Sequence, residues 1–325
     1  MKLLVVIVNY KVTDLTIDCL RSLAAEIQAL GDARVAICEN GTGPEHADRL
    51  RKVIDKEGWG QWASVTAISP NRGFTGGNNA VLEPALAGEQ PPAYFLLLNA
   101  DTIVRPGAFL ALLEFMDRHP TAGISGSRLE NPNGTGQVSA FRFHNFLCEF
   151  NRGLRLGVIA RILKPYLTAM PIPEKACRVD WVSGASLMVR REVLQQAGTL
   201  DEEYYTYFDD IDLCHRGLKA GWETWYVPES RVVHLVGQTT GIRTTTKRRP
   251  EYWFQARRLF FLKHKGRFGA LLADAAFISG YAIWRLRRWI SRKPDSDPPH
   301  LLRDAVRHSV FCTGFAPTPV KNPLL

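Results

Sequence analysis

The chain has 325 residues, enough for one large α/β domain with an appendage or for two domains. Hydrophobic residues at 46% and charged residues at 22% fit a globular chain and argue against a disordered or fibrous one. The net charge of +9 points to anionic partners such as nucleotides, phospholipid headgroups or nucleic acid, without choosing among them.

Six cysteines (Cys19, Cys38, Cys148, Cys177, Cys214, Cys312) are scattered and form no CxxC. They offer neither a zinc signature nor a disulfide framework, and a reduced, cytosolic compartment is the reading they favour. The apolar start, Leu3 to Val8, is short and runs straight into Asn9-Tyr10-Lys11 with no small-residue cleavage site. It reads as a buried first strand rather than a signal peptide.

A helix follows, with Thr13 and Asp14 as N-cap candidates, Leu20, Leu23 and Ile27 on one face, and Gly31 at its end. Arg34 to Cys38 is the second strand, Pro44 to Lys56 a polar helix, and Ala63 to Ile68 the third strand. The glycine-rich stretch Asn71 to Asn79 leads into another helix. Tyr94 to Leu98 is a fourth strand, followed by Asn99-Ala100-Asp101-Thr102 and a helix from Pro106 to about Arg118. Strand–helix alternation predicts a parallel sheet with ligands at the carboxyl ends of its strands, where Asn9, Tyr10, Glu39, Asn40, the glycine loop, Asn99 and Asp101 collect. Residues 128–180 are less regular, with a basic, apolar stretch from Phe146 to Thr168. Beyond it come a strand through Val189, the cluster Asp209-Asp210-Ile211-Asp212, and two strands, Trp222 to Val227 and Val232 to His234.

Each polar motif has a functional and a plain structural reading. The first strand ends in Asn9-Tyr10-Lys11, so the loop with Gly73, Gly76 and Gly77 is not a dinucleotide fingerprint. It is either a tight strand-to-helix turn or a place where backbone approaches a phosphate or ribose. Asp101, at the end of a very apolar strand, is either a turn or N-cap aspartate or a ligand for Mg²⁺ or Mn²⁺. His234, between Val233 and Leu235, is either a core residue or a further metal ligand. The three aspartates could favour a helix N-terminus, yet Asp209-Asp210 directly behind the aromatic run Tyr204 to Phe208 also suits a half-shielded base. The run Arg243, Lys247, Arg248, Arg249 reads as a solvated loop or a clamp for a diphosphate or a membrane surface. Phe268 to Ile290, with Arg285, Arg287 and Arg288 near its end, is an amphipathic helix. Asp274 argues against a spanning segment, which leaves packing on the domain or lying on a membrane.

Taken in order, Val6-Ile7-Val8-Asn9-Tyr10, Cys38-Glu39-Asn40-Gly41-Thr42, Asn71 to Asn79, Leu98 to Thr102, Trp181 to Ala185, Phe208 to Cys214 and His234 resemble the family 2 inverting glycosyltransferases of the GT-A fold. The likeness covers about residues 3 to 240 and is greatest to the rhamnosyltransferase-like branch of bacterial polysaccharide assembly. It implies an α/β fold with a mostly parallel sheet flanked by helices and a C-terminal helical appendage. The implied division is a catalytic domain over 1–245, whose nucleotide-sugar half is 1–125 and whose acceptor half is 126–245, and a basic helical region over 246–325.

By this resemblance Val8, Tyr10 and Glu39 line the base pocket of a nucleotide-sugar site that also includes Asn9, with Glu39 standing where the family usually has Asp and accepting from a base N–H. Asn71, Gly73, Gly77, Asn79 and Asn99 lie beside the nucleotide-sugar. Asp101 holds Mg²⁺ or Mn²⁺, with His234 as second ligand because Asn99 and Ala100 replace the usual Asp and Pro. Asp210 is the general base, Asp209 replaces the usual Glu, and Trp181, Gly184, Ala185 and Asp212 shape the acceptor side. The implied reaction is a single in-line displacement from an NDP-sugar, with dTDP-rhamnose ahead of UDP-sugars. The acceptor is a glycan or lipid-linked hydroxyl, and Arg243 assists the departing diphosphate. The implied setting is cytoplasmic, peripheral on the inner membrane face through the basic C-terminal helices, with no nucleic acid partner. A rival reading is a non-catalytic nucleotide-sugar-binding scaffold. A nucleotidyltransferase is weaker still, because no glycine- and lysine-rich phosphate loop follows the first strand.

Overall fold

In the computed structural model, residues 1–235, 247–292, 294–295 and 297–320 are described. Strands and helices alternate through β1 (Leu3–Asn9), α1 (Thr13–Leu30), β2 (Ala33–Asn40), α2 (Pro44–Lys56), β3 (Ala63–Ile68), α3 (Gly73–Ala87) and β4 (Tyr94–Asn99). Continuous β-branched and aliphatic runs form β1 and β4 because both faces are covered. Leu3, Val5 and Ile7 pack with Ile17, Leu20 and Leu50, while Leu4 and Val6 pack into a second core on the opposite face. Val8 pairs with Cys38 on one side and Asn99 on the other, which brings the ends of β1, β2 and β4 together.

Two helix starts differ from expectation. Val12, not Thr13 or Asp14, is the N-cap of α1, because the Thr13 hydroxyl faces His46 Nδ1 at 2.8 Å. Pro106 does not begin the next helix. Gly107 takes φ +79, and Glu26 accepts from the N–H groups of Gly107 and Phe109, so α4 (Ala108–Arg118) starts two residues on. Between β4 and α4 lies a short strand, β5 (Thr102–Val104).

The second half interrupts the parallel order. After β6 (Ala122–Glu130) come β7 (Ala140–Phe141), α5 (Phe146–Leu154), α6 (Gly157–Ile162), β8 (Cys177–Val179), β9 (Trp181–Val182) and β10 (Ser186–Arg190). Then follow α7 (Arg191–Ala197), α8 (Asp209–Lys219) and β11 (Glu223–His234). Among the described residues the large sheet runs β3-β2-β1-β4-β10-β6-β11-β5, with β8 also on β11. β10 lies antiparallel between β4 and β6. The two strands expected over 222–234 are one, β11, with an irregularity between Val227 and Arg231 where Pro228 cannot donate to the ladder.

The C-terminal region is α9 (Glu251–Ile290), α10 (Leu301–Arg307) and α11 (Val310–Thr313). α9 breaks at Gly266, whose φ of +67 is non-helical. Its first leg buries Phe254, Leu259, Phe260 and Phe261 in the same core as Val6, Leu97 and Tyr226. Its second leg crosses α5 backbone to backbone. A Cβ on Gly280 would sit 2.5 Å from the Phe150 carbonyl oxygen, and one on Gly153 2.6 Å from that of Phe277. Arg257 of α9 bridges Glu149 of α5 at 2.9 Å and Asp274 at 2.5 Å, all three buried. The inner face of residues 268–290 therefore packs on α5, while Phe268, Leu286, Trp289 and Ile290 stay exposed. Among the described residues no helix is long and apolar enough to cross a membrane.

Candidate active site

A cleft of about 590 Å³ opens at the carboxyl ends of β1 and β4. Val8, Tyr10, Asn71, Gly73, Asn99, Asp101, Trp181, Gly184, Ala185, Asp209, Asp210 and His234 all line it. Residues 205–208, held against the start of α3, form one wall. Gly73 takes φ +76, and a Cβ there would lie 2.3 Å from the Tyr205 carbonyl oxygen, so only glycine fits. Phe74 N–H donates to that same oxygen at 2.9 Å. Asn71 Oδ1 accepts from Gly73 N–H at 2.7 Å and from the Tyr205 hydroxyl at 3.0 Å. Asn40 donates to the Gly73 carbonyl at 2.7 Å and accepts from Arg72 N–H at 3.0 Å.

Five residues expected beside the donor or acceptor do not line this cleft, and the structure places each of them in the framework around it. Asn9 is fully buried, donating to Thr13 and accepting from the Thr16 hydroxyl. Glu39 turns into its own loop, its oxygens accepting from Gly41 and Thr42 N–H at 3.2 and 2.8 Å. Gly77 packs against Val8. Asn79 exchanges two hydrogen bonds with the backbone of Leu200, at 2.7 and 3.1 Å, and so ties α3 to the loop before α8. Asp212 is buried away from the cleft, accepting from Arg216 and His264 at 2.7 Å each. Of the basic run, Arg243 lies outside the described residues, and Arg248 forks onto Asp304 at 2.6 and 2.7 Å.

Asp101, in the turn between β4 and β5, and His234, at the end of β11, reach the cleft side by side. Leu235 N–H donates to the Asp101 carbonyl at 2.9 Å, and His234 pairs with Thr102 across β11 and β5. His234 Nε2 thus sits 3.3 Å from Asp101 Oδ1 and 3.3 Å from Asn99 Nδ2. Adjacent ligands of an octahedral Mg²⁺ lie about 3 Å apart, so this oxygen–nitrogen pair fits one hard divalent ion with positions left for diphosphate and water. The one group of three suitable ligands among the described residues, His144, Cys148 and Glu149, fits poorly. Glu149 there is bonded to Arg257, and Arg152 stands 3.4 Å away, so two guanidinium groups occupy the place of a cation.

The first turn of α8 separates the three aspartates. Tyr207 and Phe208 both take positive φ, +66 and +63, a strained pair that turns the chain sharply into α8. Asp210 is half-buried and faces the cleft. Its Oδ2 accepts from Gly184 N–H at 3.0 Å and its Oδ1 from Ile211 N–H at 2.9 Å. Burial raises the proton affinity of its carboxyl above the ordinary value, and those N–H groups work the other way. Asp209 is buried more deeply. Burial first, and the Asp210 charge second, push it well above the usual carboxylate range. Burial also opposes the Asp212 charge, but His264 and Arg216 outweigh it and hold that carboxyl low.

Several cleft residues had no role assigned from sequence: Phe141, His144, Arg152, Tyr205, Tyr252 and Trp253. Trp181 stacks on Phe141 with centroids 4.0 Å apart, and His144 lies 5.2 Å from Phe208. The aromatic runs at 204–208 and 252–254 were the visible signal. The stretch carrying His144 and Arg152 gave none, because its irregular pattern hides what it faces.

A family model described as "Glycosyltransferase like family 2" matches residues 2–261. The chain belongs to this family. The N-acetylglucosaminyl-diphospho-decaprenol L-rhamnosyltransferase of Mycobacterium tuberculosis is 33% identical over 153 residues, 46% of this chain and 48% of that protein. Rhamnosyltransferase WbbL of Escherichia coli is 25% identical over 191 residues, 58% of this chain and 70% of that protein. The chain thus aligns with about half the length of the first of these relatives. Among solved structures, GalNAc-T7 with UDP, GalNAc and Mn²⁺ superposes with a TM-score of 0.59 at 14% identity, over 99% of this chain and 60% of that one. The mannosyltransferase PcManGT of Pyrobaculum calidifontis, with GDP-Man and Mn²⁺, gives 0.55 at 13% identity, over 96% and 83%. At such identity these likenesses speak to fold, and the fold is GT-A, with a mostly parallel sheet flanked by helices and a C-terminal helical region.

Proposed function

We propose that the chain is an inverting glycosyltransferase, moving a sugar from a nucleotide-diphospho-sugar to a hydroxyl of a glycan or lipid-linked acceptor in cell-surface polysaccharide assembly. The observation that carries this reading is Asp210, half-buried and oriented by Gly184 and Ile211 N–H, in the same cleft as Asp101 and His234. Residues 1–245 act as the catalytic unit and 246–325 as its helical appendage. Val8, Tyr10, Asn71, Gly73 and Asn99 line the donor side, and Trp181, Gly184 and Ala185 the acceptor side. The names of the relatives favour a rhamnosyl donor.

The acceptor hydroxyl approaches from the α8 side, and Asp210 takes its proton as the oxygen attacks the anomeric carbon. The new C–O bond forms as the bond to the diphosphate breaks. Attack from the opposite face inverts the configuration and needs no covalent intermediate. Burial and then the Asp210 charge raise the proton affinity of Asp209, which favours Asp210 as the carboxylate for this work. Asp101 Oδ1 and His234 Nε2 are the atoms that would hold Mg²⁺ or Mn²⁺, which when bound supplies charge stabilisation to a departing diphosphate. The exposed apolar end of α9, with Arg285 and Arg292 beside it, supports peripheral contact with an anionic membrane on the cytoplasmic face.

Thermal unfolding with dTDP-, UDP- and GDP-sugars, with and without Mn²⁺, tests the reading. One nucleotide-sugar should raise Tm in a concentration-dependent way, and more so with Mn²⁺. No stabilisation by any of them would count against it.

A further inference from the structure

Trp253, in the first turn of α9, carries two arginines. The guanidinium of Arg152, from α5, lies 4.7 Å from the indole ring centroid, and that of Arg249, just ahead of α9, lies 4.6 Å from it. Neither charge is well compensated. Glu149 stands 3.4 Å from Arg152 but is held more closely by Arg257 and His144, at 2.9 Å each. No carboxylate among the described residues pairs with Arg249, which burial and then the Arg152 charge push down to about 10. Two like charges drawn to one aromatic ring, partly out of water, are what an anion would relieve.

The position is informative. Arg152 and Trp253 line the cleft that holds Asp210. Trp253 lies 6.1 Å from Phe208, the residue before the α8 aspartates, whereas Asp101 and His234 come from the ends of β4 and β11. Guanidinium groups hold phosphate oxygens in pairs, and two of them suit a group of charge −2 or more.

We infer that Arg152 and Arg249, gathered over Trp253, form an anion subsite on the acceptor side of the cleft that takes the phosphate or diphosphate of a phosphorylated acceptor. The inference rests on the glycosyltransferase reading of the cleft, from which the acceptor side takes its meaning. The arginines would place a phosphorylated acceptor so that its free hydroxyl meets Asp210.

Isothermal titration in EDTA of the full chain and of Arg249→Gln and Arg152→Gln with geranyl diphosphate, geraniol and inorganic pyrophosphate tests this. Parallel titrations with dTDP and UDP in Mn²⁺ report the donor side. Geranyl diphosphate should bind the unaltered chain, geraniol should not, and each variant should lose about 10- to 100-fold in affinity. Nucleotide affinity should hold in both variants. Tighter binding of geranyl diphosphate than of pyrophosphate would identify a lipid-linked phosphate as the ligand; equal binding would support the subsite with phosphate alone as what it reads. Undiminished binding to Arg249→Gln, absence of binding to the unaltered chain, or a parallel loss of nucleotide affinity would overturn the inference. If geranyl diphosphate binds as expected while no nucleotide binds the unaltered chain, the transferase reading falls and the anion subsite stands.

Discussion

Gly184 N–H donates to Asp210 Oδ2 at 3.0 Å and fixes that carboxylate at the cleft. This bond joins the loop between β9 and β10 to the first turn of α8, two segments that line the cleft. It also favours the charged carboxylate against the burial that raises its proton affinity.

The first prediction follows from that balance. A base works only when deprotonated, and the Asp210 carboxyl is raised above its ordinary value of about 3.9. Activity should therefore rise with pH through an apparent pKa above that ordinary value. A pH profile of kcat/KM that stays flat down to about pH 4 would contradict the assignment.

Asp101 and His234, 3.3 Å apart, are expected to act together on the donor. Asp101→Ala and His234→Ala should each weaken Mn²⁺-dependent nucleotide binding by about tenfold or more, and excess EDTA should reduce the unaltered chain to the same level. Calorimetry with UDP or dTDP, with and without Mn²⁺, reads this directly. Nucleotide affinity indifferent to metal in all three would remove the metal from the account.

Asp212 should behave as a structural residue. Its carboxylate, 1% exposed, ties α8 to α9 through His264 and pairs with Arg216 of its own helix. Asp212→Asn should cost about 3 kcal/mol and lower Tm by roughly 5–10 °C. Because the folded carboxyl is held low, its stabilisation is fully present above the unfolded value near 3.9 and is lost as pH falls through the lower folded value. The Tm gap between the two proteins should accordingly narrow as pH falls below about 4. A gap that is constant with pH would show that the charge is not what matters.

The outer face of α9 yields a further test. Trp289 and Ile290 are 76% and 66% exposed, beside Arg292. Replacing both with Glu should cut sedimentation with anionic phosphatidylglycerol vesicles several-fold and leave Tm within about 2 °C. Equal sedimentation of the two proteins would argue that this face meets something other than lipid.

The first half of the fold was legible in the sequence because α2 and β3 rest on local patterning that tertiary contacts do not override. β6 was hidden: its Gly123 and Gly126 read against a strand, yet they let Trp222 and Val182 pack close to the sheet. The motifs located the cleft, but spacing alone could not sort the three aspartates. What separates Asp210 from Asp212 is His264, 52 residues away, on a helix whose docking no local pattern reveals. The place of Asn79 and Glu39 was illegible for a similar reason, since a polar side chain beside a site can hold the backbone there as readily as it can hold a ligand.

Asp210→Asn is the decisive variant for Asp210 as the base of an inverting transfer. When kcat for sugar transfer is measured together with Kd for the nucleotide-sugar, kcat should fall about 10²–10⁴-fold with Kd unchanged. Transfer at the unaltered rate by a variant that still binds donor would contradict it.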